Sequence, residues 1–156
     1  QDFIDSSVYP YIFPAEAFTS GEIVDINGKV LGYHRGLVNY TIGQRKHLGI
    51  SGMDEPYYVV GIDAEHNRLI VGPLMGLYKD NLQARNINWV SIPGLKETIK
   101  AETKIRLAHN AAPGKVIPLS ENRVEVRFDE PQLSITPGQF AVFYQGDLLL
   151  GGGVIE

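Results

Sequence analysis

No cysteine occurs in the 156 residues. Disulfides, thiol nucleophiles and thiolate metal sites are therefore excluded from this chain, and a cytoplasmic location is the natural expectation. The four histidines, His34, His47, His66 and His109, are scattered without the spacing that metal ligands need, so no metal site is expected. Apolar runs long enough to cross a bilayer are also missing, and no signal peptide opens the chain, so no membrane is expected among its partners. The first residue is Gln1 rather than Met, so a processed or trimmed chain is expected. Net positive charge is lacking too. At −4, the chain has no broad basic surface, so any contact with nucleic acid must come from a local patch or from a neighbouring domain.

What is present reads as a folded, strand-rich protein. Hydrophobic residues make up 44% and charged residues 21%, an ordinary globular balance, in a length that suits one domain or two small ones. Glu22 to Ile26 and Lys29 to Tyr33 flank Asn27-Gly28, a pair that favours a type I′ turn and so a hairpin. Tyr57 to Ile62 and Arg68 to Val71, joined by the polar Ala64 to Asn67, predict a second hairpin. Between the hairpins, glycines interrupt Gly36 to Gly52, which predicts a short helical turn held in a loop. Tyr78 to Asn81 is polar and is expected to join two modules. Six strand-like segments follow: Leu82 to Ser91, Thr98 to Ala108, Lys115 to Leu119, Arg123 to Phe128, Gln139 to Tyr144 and Leu148 to Ile155. Pro-Gly pairs at 93–94, 113–114 and 137–138, with Gln145-Gly146-Asp147, supply turns. The expected fold is mainly β: a small β-rich module over 14–80, then a six-stranded antiparallel β-barrel over 81–156, with 1–13 as a linker or the tail of another domain.

No catalytic constellation stands out in the sequence. Gly151-Gly152-Gly153 lies in a strand pattern with no helix after it, which predicts backbone crowding or a bulge rather than a phosphate loop. Asp129-Glu130 precedes Pro131 and reads as a strand end, not a general acid/base pair. One window does stand out. Gly28 to Met53 holds no Asp or Glu, but does hold Lys29, Arg35, Arg45 and Lys46, with His34, His47, Tyr33 and Tyr40 among them. Such a patch suits phosphates and unpaired bases; docking an acidic partner domain explains it equally well. On Lys104-Ile105-Arg106-Leu107 the cations face outward if Ile105 and Leu107 point into the barrel. Gln139, after the turn Thr136-Pro137-Gly138, carries an amide able to donate and accept at a base edge or sugar.

These segments resemble a known family. YTIGQRKHLGI (Tyr40 to Ile50) and TPGQFAVFYQGDLLLGGGVIE (Thr136 to Glu156) are similar to the tRNA-specific 2-thiouridylases, and the similarity runs from about Gly21 to Glu156 through Gly28 to Gly36 and Tyr58 to Asp63. The resemblance implies a central β-rich domain and a C-terminal barrel, cut away from an N-terminal ATP-pyrophosphatase domain that does the chemistry. It implies that ATP and a sulfur donor serve the parent enzyme, that ATP adenylates the oxygen of the wobble uridine and that a protein-borne sulfur displaces it. It implies tRNA, the catalytic domain and a sulfur-relay protein as partners, with no cofactor or catalytic residue in this chain. Carried over by motif, Arg106, Leu107 and Gln139 would touch tRNA, with Arg106 on phosphate and Gln139 on sugar or a base edge. His34, Arg35, Gln44, Arg45 and Lys46 would contact tRNA or the catalytic domain.

The chain departs from the family pattern at four places. Leu107 stands where an Arg-Tyr pair has its Tyr, Ala108 where many relatives carry Arg, and His47 where Gly is usual. After Gln1-Asp2 come Phe3-Ile4-Asp5 in place of a second cysteine, which implies a single-cysteine or cluster-assisted sulfur route in the parent. The competing expectations are a stand-alone RNA-binding adaptor and a translation-factor-like barrel that binds protein.

Overall fold

A computed structural model describes residues 15–107 and 110–156. The expectations for 1–13, for Ala108 and for His109 lie outside the described residues. The chain divides into two compact units, the first ending at Leu77 and the second starting at Tyr78.

The first unit is a four-stranded mixed sheet. Its strands are β1 (Gly21–Asp25), β2 (Val30–His34), β3 (Tyr58–Asp63) and β4 (Arg68–Gly72), in the order β2-β1-β4-β3. Both expected hairpins form, and β1 joins them by running parallel to β4, with Ile23 beside Leu69 and Val24 beside Ile70. Ile23, Val59, Leu69 and Val71 bury their side chains together, and Leu37 and Leu48 of the intervening segment join that core. Period-two alternation of branched residues explains the shared face. The segment between β2 and β3 holds only a 3-10 turn, Leu37–Asn39.

The first turn is not type I′. Only Gly28 takes positive φ, at 84°, and Asn27 does not. The Asp25 carboxylate accepts from the N–H of Asn27 (2.8 Å) and of Lys29 (2.9 Å), while the Gly28 N–H bonds the Asp25 carbonyl (3.0 Å). That side-chain bracket selects a three-residue loop closed by a glycine bulge over the two-residue Asn-Gly turn.

The second unit is a closed antiparallel barrel in the order β10-β5-β8-β7-β6-β9. Its strands are β5 (Tyr78–Trp89), β6 (Ile99–Lys104), β7 (Ala112–Ser120), β8 (Arg123–Leu133), β9 (Phe140–Gln145) and β10 (Leu148–Ile155). Closure leaves no free sheet edge. Val116, Val124, Val126, Ala141, Phe143, Leu150 and Ile155 are among the side chains that fill the interior, and Trp89 tilts over Phe143 at 5.8 Å between ring centroids. Tyr78 to Asn81 belongs to β5 rather than to a linker, since Tyr78 pairs with Leu133 and Lys79 with Gln132. Likewise β8 does not stop before Pro131. Its register breaks between Lys79 and Asn81 and resumes beyond the proline, which has no N–H to give a ladder.

The triple glycine sits in β10 where neighbouring strands approach closely. A Cβ on Gly152 would lie 2.7 Å from the Ala141 carbonyl oxygen, and one on Gly151 would meet Asn88 and Trp89. Register shifts flank the run on both neighbouring strands. Crowding and bulging, not a ligand, account for these glycines.

Candidate nucleic-acid interface

Two surfaces carry the residues singled out by sequence, one on each unit. On the barrel, the end of β6 and the turn into β9 form a groove of about 580 Å³, lined by Lys104, Arg106, Leu107, Gln139 and the outward side chains of β9. Arg106 and Gln139 therefore line the same surface. The lining includes two cations and no carboxylate, so an anion meets no repulsion from it.

Local structure explains the placement. Strand β6 ends at Lys104, and the alternation ends one residue later. Ile105 turns inward at 7% exposure, whereas Leu107 stands 94% exposed. Leu107 was expected to point inward with Ile105. Without a ladder beyond Lys104, nothing holds it to the alternating pattern. Arg106 folds back and donates from one terminal nitrogen to the Ser134 carbonyl at 2.6 Å. A guanidinium has five N–H donors, so this anchor fixes its direction and leaves donors for a ligand. Ser134 is itself buried in a left-handed conformation (φ 53°), and the Thr136 hydroxyl donates to the same carbonyl at 3.0 Å.

The turn Thr136-Pro137-Gly138-Gln139 presents the amide. Gly138 has φ 85° and the Gln139 N–H bonds the Thr136 carbonyl (3.3 Å), the pattern of a type II turn with proline and glycine in its two central positions. The Gly138 N–H bonds the Ile155 carbonyl, and the Ile155 N–H bonds the Gln139 carbonyl, which pins the turn to the barrel rim. Among the described residues, no partner occupies the exposed Gln139 side chain.

The surface on the first unit is different. His34 is fully buried. Its Nδ1 accepts from the Gly36 N–H (3.1 Å), so its Nε2 donates to the Asn67 carbonyl (3.1 Å). With both ring nitrogens engaged inside the unit, the His34 side chain has no free polar atom at the surface. Tyr40 packs against it in a T-shaped arrangement at 5.9 Å between ring centroids and is half-buried. The Gln44 amide is engaged at both ends, accepting from the Thr41 N–H (3.2 Å) and donating to the Lys46 carbonyl (2.9 Å). Arg35, Arg45 and Lys46 are exposed. Arg45, however, lines a groove of about 490 Å³ together with Asp54 and Glu55. The acid-free stretch in sequence is thus not acid-free in space.

Phe140 is a groove residue the sequence reading passed over. It is 66% exposed, and Val142 and Tyr144 follow it on the outer face of β9. Phe-Ala-Val-Phe-Tyr is apolar on both faces, so alternation alone does not say which face is wet. Among the described residues, no group of three or more His, Asp or Glu side chains is placed to hold a metal ion, and no helix is long and apolar enough to cross a membrane.

A closed six-stranded barrel with a cationic groove, preceded in the chain by a small mixed sheet, defines a two-unit β protein, and comparison with known proteins places both units. Residues 12–73 match the model of the tRNA methyl transferase PRC-barrel domain, and residues 79–155 match that of the aminomethyltransferase beta-barrel domain. The chain is 53% identical over 88% of its length to the tRNA-specific 2-thiouridylase MnmA of Geotalea uraniireducens (strain Rf4), covering 36% of that protein. It is 48% identical over its whole length to the same enzyme of Gloeothece citriformis (strain PCC 7424), covering 42% of it. The relative from Rippkaea orientalis (strain PCC 8801 / RF-1) is 50% identical over 87% of the chain, which spans 39% of that protein. The chain belongs to the tRNA-specific 2-thiouridylase family, and it spans about two fifths of the length of these curated relatives.

Proposed function

We propose that this chain is the tRNA-holding, C-terminal part of a 2-thiouridylase that places sulfur on the wobble uridine, and that the barrel groove is its tRNA contact. The observation that carries the reading is that Arg106 and Gln139, distant in sequence, line one groove without a carboxylate. Arg106 neutralises a phosphate and Gln139 bonds a sugar or base edge, so the pair sets the register of the RNA rather than its sequence specificity. Leu107 adds an apolar edge to the same site.

In this reading 14–80 is the central domain, 81–156 the C-terminal barrel and 1–13 the link to a catalytic domain. That domain lies in a part of the parent protein outside this sequence. There ATP activates the uridine oxygen as a leaving group, and a sulfur delivered by a relay protein displaces it in the cytoplasm. This chain alone is inactive. Arg35, Arg45 and Lys46 serve tRNA or the catalytic domain, while Gln44 braces the loop that carries Arg45 and Lys46.

The test is binding of the chain to a cognate tRNA across a salt series, with Arg106→Ala and Gln139→Ala alongside. Steep salt dependence is expected. Loss of the Arg106 phosphate contact lowers the slope of log affinity on log salt by about 0.7–0.9. Gln139→Ala weakens binding and leaves the slope alone. Binding indifferent to salt and to Arg106 would point to a protein partner and sink the proposal.

A further inference from the structure

The outer face of β9 carries an apolar stripe with a defined neighbourhood. Phe140, Val142 and Tyr144 point outward while Ala141 and Phe143 fill the barrel. Successive outward side chains on a strand stand about 7 Å apart. Lys104 pairs in register with Val142, and Gln139 and Arg106 line the same groove. Phe140, at 66% exposure, is a large ring held open to solvent beside cations. Singly exposed apolar side chains are ordinary, but here Leu107, 94% exposed, lines the groove with it. An aromatic face flanked by phosphate-binding cations is the combination that holds unpaired nucleotides: the cations take the backbone and the ring takes a base.

We propose that Phe140 is a stacking platform for an unpaired base of the bound RNA, next to the phosphate that Arg106 neutralises. The proposal rests on the tRNA reading above and adds to it a contact that selects single-stranded over paired RNA. Paired bases are already stacked within their helix and have no free face for the ring. The RNA segment at this groove is therefore a loop or an end.

Binding of the chain to a tRNA transcript and to a blunt RNA duplex of the same length tests this, with Phe140→Ala, Phe140→Leu, Phe140→Trp and Arg106→Ala compared. Phe140 is solvent-facing, so its variants should melt like the wild type, and circular dichroism checks that. Phe140→Ala and Phe140→Leu are expected to weaken tRNA binding about 5- to 150-fold without changing the salt slope, because a base–aromatic contact is lost and no charge is removed. Phe140→Trp retains affinity, and the duplex does not distinguish Phe140→Ala from wild type. If Phe140→Ala binds tRNA like the wild type while Arg106→Ala is impaired, stacking is overturned and the tRNA reading stands. If Phe140→Leu binds as well as Phe140→Trp, the ring is only apolar bulk and the proposal fails. No binding of tRNA by the wild-type chain at low salt overturns both.

Discussion

The two units contain similar-looking motifs whose polar groups are in opposite states of hydrogen bonding. In the first, a glycine-rich loop offers a glutamine followed by two cations, Gln44-Arg45-Lys46; in the barrel, a Pro-Gly turn offers Gln139 near Arg106. The Gln44 amide is spent on the Thr41 N–H and the Lys46 carbonyl, His34 is sealed in the interior, and Arg45 shares its groove with Asp54 and Glu55. The Gln139 side chain projects into solvent and Arg106 keeps donors to spare. Residue type and spacing cannot separate a brace from a ligand-binding group. What separates them is whether the polar atoms are already satisfied.

The comparison can be broken by substitutions that fall unequally on stability and on binding. The largest effect belongs to His34→Ala, which opens a buried gap and strands the Gly36 N–H and the Asn67 carbonyl. A loss of about 2–4 kcal/mol is expected by denaturant unfolding, with tRNA affinity of the folded fraction unchanged. Next is the glutamine pair. Gln44→Ala should cost about 1 kcal/mol of stability and leave tRNA affinity alone, whereas Gln139→Ala should do the reverse. Equal effects of the two on tRNA affinity would erase the distinction drawn here.

Smaller effects sharpen the description of the first unit. His47 holds φ at 62°, a left-handed conformation that suits glycine. His47→Gly should raise the melting temperature slightly, equivalent to about 0.5–1 kcal/mol. The smallest effect concerns Asp63, whose carboxyl is held below the ordinary aspartate range chiefly by the His66 backbone N–H, and further by the His66 ring. A depressed folded-state value contributes stability above the unfolded-state value that fades as pH falls through the folded one. By NMR titration, His66→Ala should move Asp63 only part of the way back, because the backbone donor remains.

Much of the fold is legible in the sequence. Arg123-Val124-Glu125-Val126-Arg127-Phe128 alternates so plainly that its buried face, Val124, Val126 and Phe128, follows from period two alone. Both hairpins and the presence of all six barrel strands are visible too, but not every boundary: Pro113-Gly114, expected as a turn, lies inside β7 and pairs with Glu102 and Ala101. The parallel pairing of β1 with β4 is not, because it is a long-range choice that no local pattern encodes. The turn at Asn27-Gly28 misleads because the Asp25 carboxylate outside the dipeptide decides its type. Of the site, Arg106 and Gln139 stand out in the sequence as polar groups at a strand and a turn, but only motif resemblance raises them above ordinary surface residues. The outward swing of Leu107 depends on where β6 stops, and the exposure of Phe140 depends on which face of an all-apolar strand the barrel buries.

The central claim is that the barrel groove, more than the cationic loop of the first unit, supplies the phosphate contact to tRNA. The most direct measurement is the salt slope of tRNA binding for Arg106→Ala against Arg45→Ala, both in the 156-residue chain. The account predicts a slope lowered by about 0.7–0.9 for Arg106→Ala and a smaller change for Arg45→Ala, whose groove holds Asp54 and Glu55. A full-size drop for Arg45→Ala with none for Arg106→Ala would contradict it.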